Sequence, residues 1–173
     1  MPPTFQRVLV IGISGAGKST FGRTLAGRTG LPLVHLDKEY WRPGWRETPR
    51  AEWRARVASL VAGEHWVMEG NYAGTLDLRL ARADTLFWFD YPTLKCLLRM
   101  LKRIVSSYGQ VRPDLAEGCP ERFDWEFLEY VWRFNRAERP KIVAALAGSG
   151  RHLEPVVFRR DADVTRFLAA LSW

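Results

Sequence analysis

Cysteine is scarce in this chain of 173 residues, which contains only Cys96 and Cys119, far apart in the sequence. Two distant cysteines do not make a disulfide framework, and they do not supply the four thiolates of a structural zinc site. We therefore expect both side chains to be reduced and to have structural roles.

Long apolar runs are absent as well. No run approaches the roughly 18 residues that a membrane-spanning helix requires, and the first residues, MPPTFQ, lack the charged and apolar regions of a signal peptide. We expect a cytoplasmic protein without a membrane partner. Hydrophobic residues make up 47% of the sequence and aromatic residues 13%, so we expect one globular domain over residues 1–173.

Runs of consecutive basic residues are also missing, although the chain is basic overall. Lysine and arginine number 26 against 19 acidic residues, which gives a net charge of +7. Such a charge indicates a polyanionic partner, either the phosphates of a nucleotide or a nucleic acid backbone. An arginine-rich genome composition explains the charge equally well, so a nucleic-acid partner stays open and is not favoured.

Short apolar stretches alternate with stretches of helical periodicity along the rest of the chain. The pattern predicts strands at residues 7–11, 33–36, 65–68, 85–89 and 156–158. It predicts helices at residues 18–28, 49–62, 92–106, 124–147 and 161–171, with an irregular stretch at 108–119. Strands that alternate with helices predict an α/β domain with a doubly wound, five-stranded parallel sheet.

The stretch GISGAGKST follows the first predicted strand and opens the first predicted helix. It matches the pattern GxxxxGK(S/T), in which backbone N–H groups converge on phosphate oxygens. Lys18 would reach the β- and γ-phosphates of ATP, and Ser19 would ligate Mg²⁺. The residues expected to bind the nucleotide here are Gly12, Ser14, Gly15, Ala16, Gly17, Lys18, Ser19 and Thr20.

Three carboxylates follow predicted strands, at the sheet edge where ligands bind in such folds. They are Asp37 after the second strand, Glu69 after the third and Asp90 after the fourth. Phosphoryl transfer uses one carboxylate near the metal and often another near the acceptor. Each also has a structural interpretation, because Asp37 and Glu69 suit turns and Asp90 suits the N-cap of the next helix.

Three long stretches carry a resemblance to known families: HLDKEYWRPGWRETPRAEW, WVMEGNYAGTLDLRL and RPDLAEGCPERFDWEFL. The chain resembles the adenylate-kinase-like branch of the P-loop kinases, and over nearly its whole length it resembles the DNA topology modulation, or FlaR-related, family. The first resemblance implies a P-loop NTPase fold of the nucleoside or nucleotide kinase type, with a short lid at residues 104–124. The name of the second family implies an effect on DNA.

The kinase resemblance implies roles for several arginines. FDYP resembles the adenylate kinase Phe-Asp-Val-Pro segment, so Arg99 and Arg103 fall at the two arginines of the lid base, one against adenine and one against phosphate. Arg122 and Arg133 have the separation of the two arginines across the lid, which close on the transferring phosphoryl group. Arg160 completes the set of residues expected to bind the nucleotide. Arginines on helices are, however, often solvated surface.

The segment VMEGNY stands where adenylate kinases have Asp-Gly-Phe-Pro. This match implies that Glu69 orients the magnesium ion, usually through water. Adenylate kinases continue with an arginine that grips the phosphate of the acceptor nucleotide, whereas this chain has Ala73. The resemblance therefore does not imply a nucleoside monophosphate as acceptor.

The segment LDKEYW is similar to the acidic segment after the second strand of uridine-kinase-like enzymes. That similarity implies that Asp37 orients and deprotonates an acceptor hydroxyl. Tyr40, Trp41 and Trp45 follow it, and they either stack on a planar substrate or pack against the domain. His35, two residues before Asp37, suits a supporting role.

Two functions follow from these observations. The first is a Mg²⁺-dependent ATP phosphotransferase that acts on a hydroxyl of a small, nucleoside-like acceptor. The alternative is a nucleotide-dependent regulator of DNA topology with slow ATPase activity, whose DNA affinity would fall steeply with salt. The residues leave open the acceptor, the choice between ATP and GTP, and the oligomeric state.

Overall fold

Strands and helices alternate along the chain in a computed structural model, which describes residues 5–148, 153 and 155–171. In chain order the elements are β1 (Arg7–Gly12), α1 (Lys18–Thr29), β2 (Leu33–His35), α2 (Leu36–Tyr40), β3 (Trp41–Arg42), β4 (Arg46–Glu47), α3 (Arg50–Val61), β5 (Trp66–Glu69), α4 (Leu76–Arg82), β6 (Thr85–Phe89), α5 (Thr93–Ser107), α6 (Trp125–Ala137), α7 (Arg139–Gly148), β7 (Pro155–Phe158) and α8 (Asp161–Ala170). A short 3₁₀ turn, Ala73–Thr75, precedes α4.

The central sheet has five parallel strands in the order β2-β5-β1-β6-β7. This confirms the predicted α/β class and the predicted five-stranded parallel sheet. The register pairs Val10 of β1 with Glu69 of β5, and His35 of β2 also pairs with Glu69. Since the strands are parallel and aligned, the residues that follow β1, β2 and β5 meet at one edge of the sheet.

The core lies on both faces of the sheet. The side chains of β1 from Val8 to Ile11 are almost completely buried, as continuous apolar strands in parallel sheets are. On one face, Phe21 of α1 contacts four other phenylalanine rings, with centroid separations between 4.9 and 6.2 Å. These rings belong to β6, β7 and α8, so one aromatic cluster joins α1 and α8 to the sheet.

The helices differ from the sequence prediction in several places, although none in the described residues is long and apolar enough to cross a bilayer. The single helix predicted at 124–147 is two, α6 and α7, separated at Glu138. Pro140 explains why a new helix begins at Arg139, because proline is well tolerated only in the first turn of a helix. The second predicted strand is one residue too long, since Leu36 already begins α2. The hairpin β3–β4, α2 and α4 were not predicted.

Asp90 has a structural role, but not the predicted one. The N-cap position of α5 is held by Pro92 rather than by Asp90. Asp90 instead accepts two hydrogen bonds from Arg139 at the start of α7, at 2.8 and 2.9 Å. This bidentate pair connects the end of β6 to the α6–α7 junction.

The aromatic cluster gives a first prediction about stability. Phe21→Ala should lower the free energy of unfolding by about 3–5 kcal/mol, because it removes a buried ring and leaves a cavity. Urea unfolding followed by circular dichroism measures the change. Val105→Ala is the control, since Val105 is 81% exposed on α5 and should change stability by less than about 0.5 kcal/mol. Equal effects of the two substitutions would contradict the prediction.

Candidate active site

One large cavity, of about 810 Å³, opens at the carboxyl edge of the sheet. Its wall includes the phosphate-loop residues, Asp37, Glu69 and the segment between α5 and α6. The sequence-predicted residues that line it are Ser14, Gly15, Gly17, Lys18, Ser19, Thr20, Asp37, Glu69, Arg99, Arg103 and Arg122. Most of the predicted set is therefore brought to one place.

The loop between β1 and α1 has the form of an anion cradle. Gly12 and Gly15 have φ angles of 135° and 84°, and a Cβ atom on them would lie 2.3 Å from the Phe89 carbonyl oxygen and 2.4 Å from that of Cys96. Only glycine fits at both positions. No side chain caps the N-terminus of α1 and its first turn has no acidic residue. The positive end of the helix dipole therefore faces the cavity uncompensated, as phosphate binding requires.

Lys18 is buried below this loop, with 8% of its surface exposed. Its Nζ donates a hydrogen bond of 3.0 Å to the carbonyl oxygen of Ile13. Burial lowers the pKa of the Lys18 ammonium, while the carboxylates of Glu69 and Asp37 act in the opposite direction. The charge of Lys18 is thus balanced by the two strand-edge carboxylates.

Ser19 and Glu69 are in direct contact and offer oxygen ligands for a divalent ion. The hydroxyl of Ser19 donates to Glu69 Oε1 at 3.0 Å, and His35 Nδ1 lies 2.6 Å from the same oxygen. His35 therefore supports Glu69. In the described part of the chain, no group of three or more His, Cys, Asp or Glu side chains could hold a metal ion. A magnesium ion here would need phosphate and water oxygens as its other ligands, which is its usual manner of binding with nucleotides.

Asp37 lies in the first turn of α2, close to the buried charges. Its Oδ1 accepts a hydrogen bond of 2.6 Å from the hydroxyl of Tyr72. Burial, followed by repulsion from Glu69, raises the pKa of the Asp37 carboxyl, against the opposing effects of Tyr72 and Lys18. A carboxylate with a raised pKa that faces a cavity is suited to accept a proton.

Tyr72 is held in place by Arg79, which the sequence analysis missed. Tyr72 has a φ angle of 40°, in the left-handed region that non-glycine residues seldom adopt. The fully buried guanidinium of Arg79 donates to the carbonyl oxygens of Gly70, Asn71, Tyr72 and Thr75. The loop before α4 is therefore wrapped around one cation, and this loop aims Tyr72 at Asp37. The sequence carries no local signal for it beyond an arginine inside an apolar helix.

The predicted arginines divide into two groups. Arg99 and Arg103 of α5 line the cavity, with ion pairs to Asp161 at 2.7 Å and to Glu121 at 3.3 Å. Arg122 also lines it.

Arg133 and Arg160 do not line this cavity. Their side chains are 68% and 69% exposed and pair with Glu129 and Asp163. Arg133 lies on an exposed face of α6. Its spacing from Arg122 does not predict that the two side chains point the same way, because α6 begins only at Trp125 and the stretch before it is not helical. The roles predicted for Arg133 and Arg160 stay predictions that this geometry does not support.

Arg112 lines the cavity and was not singled out from the sequence. It pairs with Asp114 at 3.1 Å and with Glu121 at 2.8 Å, and its charge acts on Asp37. Arg103 shares Glu121, and burial together with the charge of Arg112 lowers the pKa of the Arg103 guanidinium. Two arginines thus converge over the cavity from neighbouring positions.

Residues 108–124, which make up most of the stretch predicted as a lid and are called the lid below, pack on the β3–β4 hairpin. The first four residues of the predicted range, 104–107, are the last turn of α5. Gly44 N–H donates to the Gly118 carbonyl at 2.9 Å, and Trp45 Nε1 donates to the Pro120 carbonyl at 3.0 Å. Cys119 is buried with a free thiol, as is Cys96. The hairpin and the lid therefore cover the Asp37 side of the cavity together.

Comparison with known proteins identifies the fold. No protein-family model matches the chain, and no curated protein matches its sequence. A shikimate kinase from Bacteroides thetaiotaomicron matches with a TM-score of 0.59 at 16% identity, over 97% of this chain and 99% of that one. A shikimate kinase from Acinetobacter baumannii in complex with shikimate gives 0.59 at 17%, over 97% and 93%. A gluconokinase from Sinorhizobium meliloti gives 0.54 at 19%, over 96% and 91%. The chain has the fold of these P-loop kinases.

The raised pKa of Asp37 gives a prediction about pH. Above the ordinary carboxyl pKa of 3.8 the folded state holds more protons at Asp37 than the unfolded state, so this group lowers stability as pH rises. Asp37→Asn should therefore raise the melting temperature at about pH 8, and the gain should vanish at about pH 4. Calorimetric scans at both pH values measure it.

Asp77→Asn is the matched control with the opposite sign. A hydrogen bond from Arg54 lowers the pKa of the Asp77 carboxyl, so that its charge stabilises the fold above pH 3.8. Asp77→Asn should lower the melting temperature at about pH 8 and have no effect well below the ordinary carboxyl pKa. A loss of stability for Asp37→Asn at the higher pH would contradict the assignment of a buried, repelled carboxylate.

Proposed function

We propose that this protein is a kinase that transfers the γ-phosphoryl group of ATP to a hydroxyl of a small-molecule acceptor. The observation that carries the proposal is the shared cavity of the phosphate loop and Asp37, which the Tyr72 hydroxyl orients at 2.6 Å. The fold supports it, because solved proteins of this fold are named shikimate kinase and gluconokinase. The resemblance of the sequence to adenylate-kinase-like enzymes supports it as well.

In this proposal the donor side binds and neutralises the triphosphate. The amides of the phosphate loop and the N-terminus of α1 hold the phosphate oxygens, and Lys18 contributes the buried positive charge. Arg99 and Arg103 approach from α5. A magnesium ion held by Ser19 and, through water, by Glu69 would neutralise charge on the β- and γ-phosphates.

On the acceptor side, Asp37 accepts the proton of the attacking hydroxyl. The hydroxyl oxygen forms a bond to the γ-phosphorus while the bond from that phosphorus to the bridging oxygen of ADP breaks. Tyr72 holds Asp37 in orientation and Arg79 holds the loop of Tyr72. Tyr40, Trp41 and Trp45 line the same side and suit a nucleoside-like or other planar acceptor.

A nucleotide-dependent regulator of DNA topology is the second candidate. The resemblance to the DNA topology modulation family and the net charge of +7 favour it. This function requires nucleotide hydrolysis and DNA binding, but it does not require a base opposite the phosphate loop. The two candidate functions therefore differ in whether Asp37 must act as a base.

Lys18→Met tests the nucleotide site. Methionine fills the buried volume of the lysine stem, so the fold should persist, while loss of the ammonium should weaken ATP affinity by about 10-fold or more. Isothermal titration calorimetry with a non-hydrolysable ATP analogue and Mg²⁺ measures affinity. Lys102→Met, on an exposed position of α5 outside the cavity, is the control. Unchanged affinity in Lys18→Met would overturn the site.

Asp37→Asn tests the chemistry. Asparagine keeps the shape and removes the base, so acceptor-dependent transfer should fall by roughly 10²–10⁴ while ATP affinity stays near wild type. A screen of nucleosides, nucleotides and small alcohols with ATP and Mg²⁺ identifies an acceptor, and Asp77→Asn serves as control. The regulator predicts unchanged slow hydrolysis and salt-dependent DNA binding in the same variant. Unchanged transfer in Asp37→Asn would overturn the kinase mechanism.

A further inference from the structure

The charges that line the cavity are unevenly distributed between its two sides. We define the donor side as the residues of the phosphate loop, α1 and α5, and the acceptor side as those of α2, the β3–β4 hairpin, the 71–73 loop, the lid and α6. The donor side carries Lys18, Arg23, Arg99 and Arg103. The acceptor side carries the carboxylates Asp37, Glu47, Asp114, Glu121, Asp124 and Glu126.

The cations of the acceptor side, among the described residues that line it, are Arg112 and Arg122, and both are paired. Arg112 lies between two carboxylates, at 3.1 Å from Asp114 and 2.8 Å from Glu121. Arg122 pairs with Asp124 at 2.8 Å and lies over the ring of Trp45 at 5.5 Å. An acceptor with a carboxylate or a phosphate would have to displace one of these partners.

The N-terminus of α6 could also bind an anion, but it is already capped by a side chain of the protein. The Asp124 carboxylate occupies the N-cap and accepts a hydrogen bond of 3.1 Å from the Phe127 N–H. An acidic cap already satisfies this donor and compensates the helix dipole. Among its described residues the acceptor side therefore has neither an unpaired arginine nor an uncapped helix N-terminus, whereas the donor side has the uncapped N-terminus of α1.

Aromatic rings and two rim carboxylates remain to recognise the acceptor. The rings are those of Tyr40, Trp41, Tyr72, Phe127 and Tyr130, together with Trp45, one face of which is already covered by Arg122. Glu47 on the hairpin interacts with the Tyr40 hydroxyl, and Glu126 is on the first turn of α6. Both carboxylates are exposed at the rim and lack a cationic partner among the described ion pairs. The faces of aromatic rings beside carboxylates attract cations.

We infer that the acceptor is an amine-bearing alcohol, such as an amino sugar or an aromatic amino alcohol. Its hydroxyl lies at Asp37, and its ammonium group lies against the aromatic rings near Glu47 and Glu126. The inference rests on the proposed kinase function and names its substrate class. The amine takes no part in the reaction and leaves with its charge unchanged, while the hydroxyl proton passes to Asp37 and the phosphoryl group to the oxygen.

Two matched sets of alcohols test this inference. The first is glucosamine, glucose and glucuronate, and the second is 4-(aminomethyl)benzyl alcohol, 4-methylbenzyl alcohol and 4-(hydroxymethyl)benzoate. Phosphoryl transfer is measured with ATP and Mg²⁺, and binding is measured by calorimetry with a non-hydrolysable ATP analogue. In at least one set the cationic member should exceed the neutral one by about tenfold and the anionic one by more.

Rim variants then locate the ammonium site. Glu47→Gln combined with Glu126→Gln should remove most of the preference for the cation, and Glu126→Lys should shift it toward the anionic member. Glu129→Gln is the control, because Glu129 is on α6, does not line the cavity and pairs with Arg133. Both rim residues are exposed, so these variants should fold.

The outcomes separate the inference from the function on which it rests. Equal or stronger use of the neutral or anionic members in both sets would overturn the inference and leave the kinase standing. Binding of the cationic members without transfer to any alcohol would overturn the kinase and leave the ammonium site standing. A preference that survives both rim substitutions would overturn the assignment to Glu47 and Glu126.

Discussion

Three charges buried together set the constraint on which the site depends. One ammonium, Lys18, lies near two carboxyl groups, Glu69 and Asp37, and burial disfavours the charged forms of Lys18 and Asp37 by shifting the pKa of each. Burial of unbalanced charge is costly unless hydrogen bonds compensate for it. Ser19 and His35 supply them to Glu69, and Tyr72 supplies one to Asp37. The surrounding segments therefore place hydrogen-bond donors at one oxygen of each carboxyl group, Oε1 of Glu69 and Oδ1 of Asp37.

A buried cation, the guanidinium of Arg79, holds the loop that carries one of these donors, Tyr72. The described hydrogen bonds of the Arg79 side chain go to carbonyl oxygens in the loop before α4. They hold the left-handed backbone at Tyr72, a conformation that costs on the order of 1–3 kcal/mol. The hairpin and the lid complete the enclosure from the other side. The geometry around Asp37 thus rests on contacts made by three separate segments.

Parts of this arrangement could be predicted from the sequence, because they are local. The phosphate loop is specified by spacing within nine residues, and the continuous apolar strands specify a covered parallel sheet. Arg79 and Arg112 lie within stretches that carry the family resemblance, but no residue pattern there marks their roles, because their partners are backbone carbonyls or carboxylates of the lid. The β3–β4 strands have two residues each, too few to show periodicity. Arg133 was placed by chain separation, which does not determine the face of a helix that begins between the two arginines.

The strand order has a consequence for how the chain reaches this structure. Of the five strands of the sheet, β1 is synthesised first, yet it occupies the centre and pairs with residues 66–69 and 85–89. One edge of this nearly all-apolar strand stays open until residues 66–69 exist and the other until residues 85–89 exist, and contacts between distant residues close slowly. Open apolar strand edges are the usual route to aggregation. The interval before β5 and β6 arrive is therefore when a nascent chain of this protein is most exposed to misassembly.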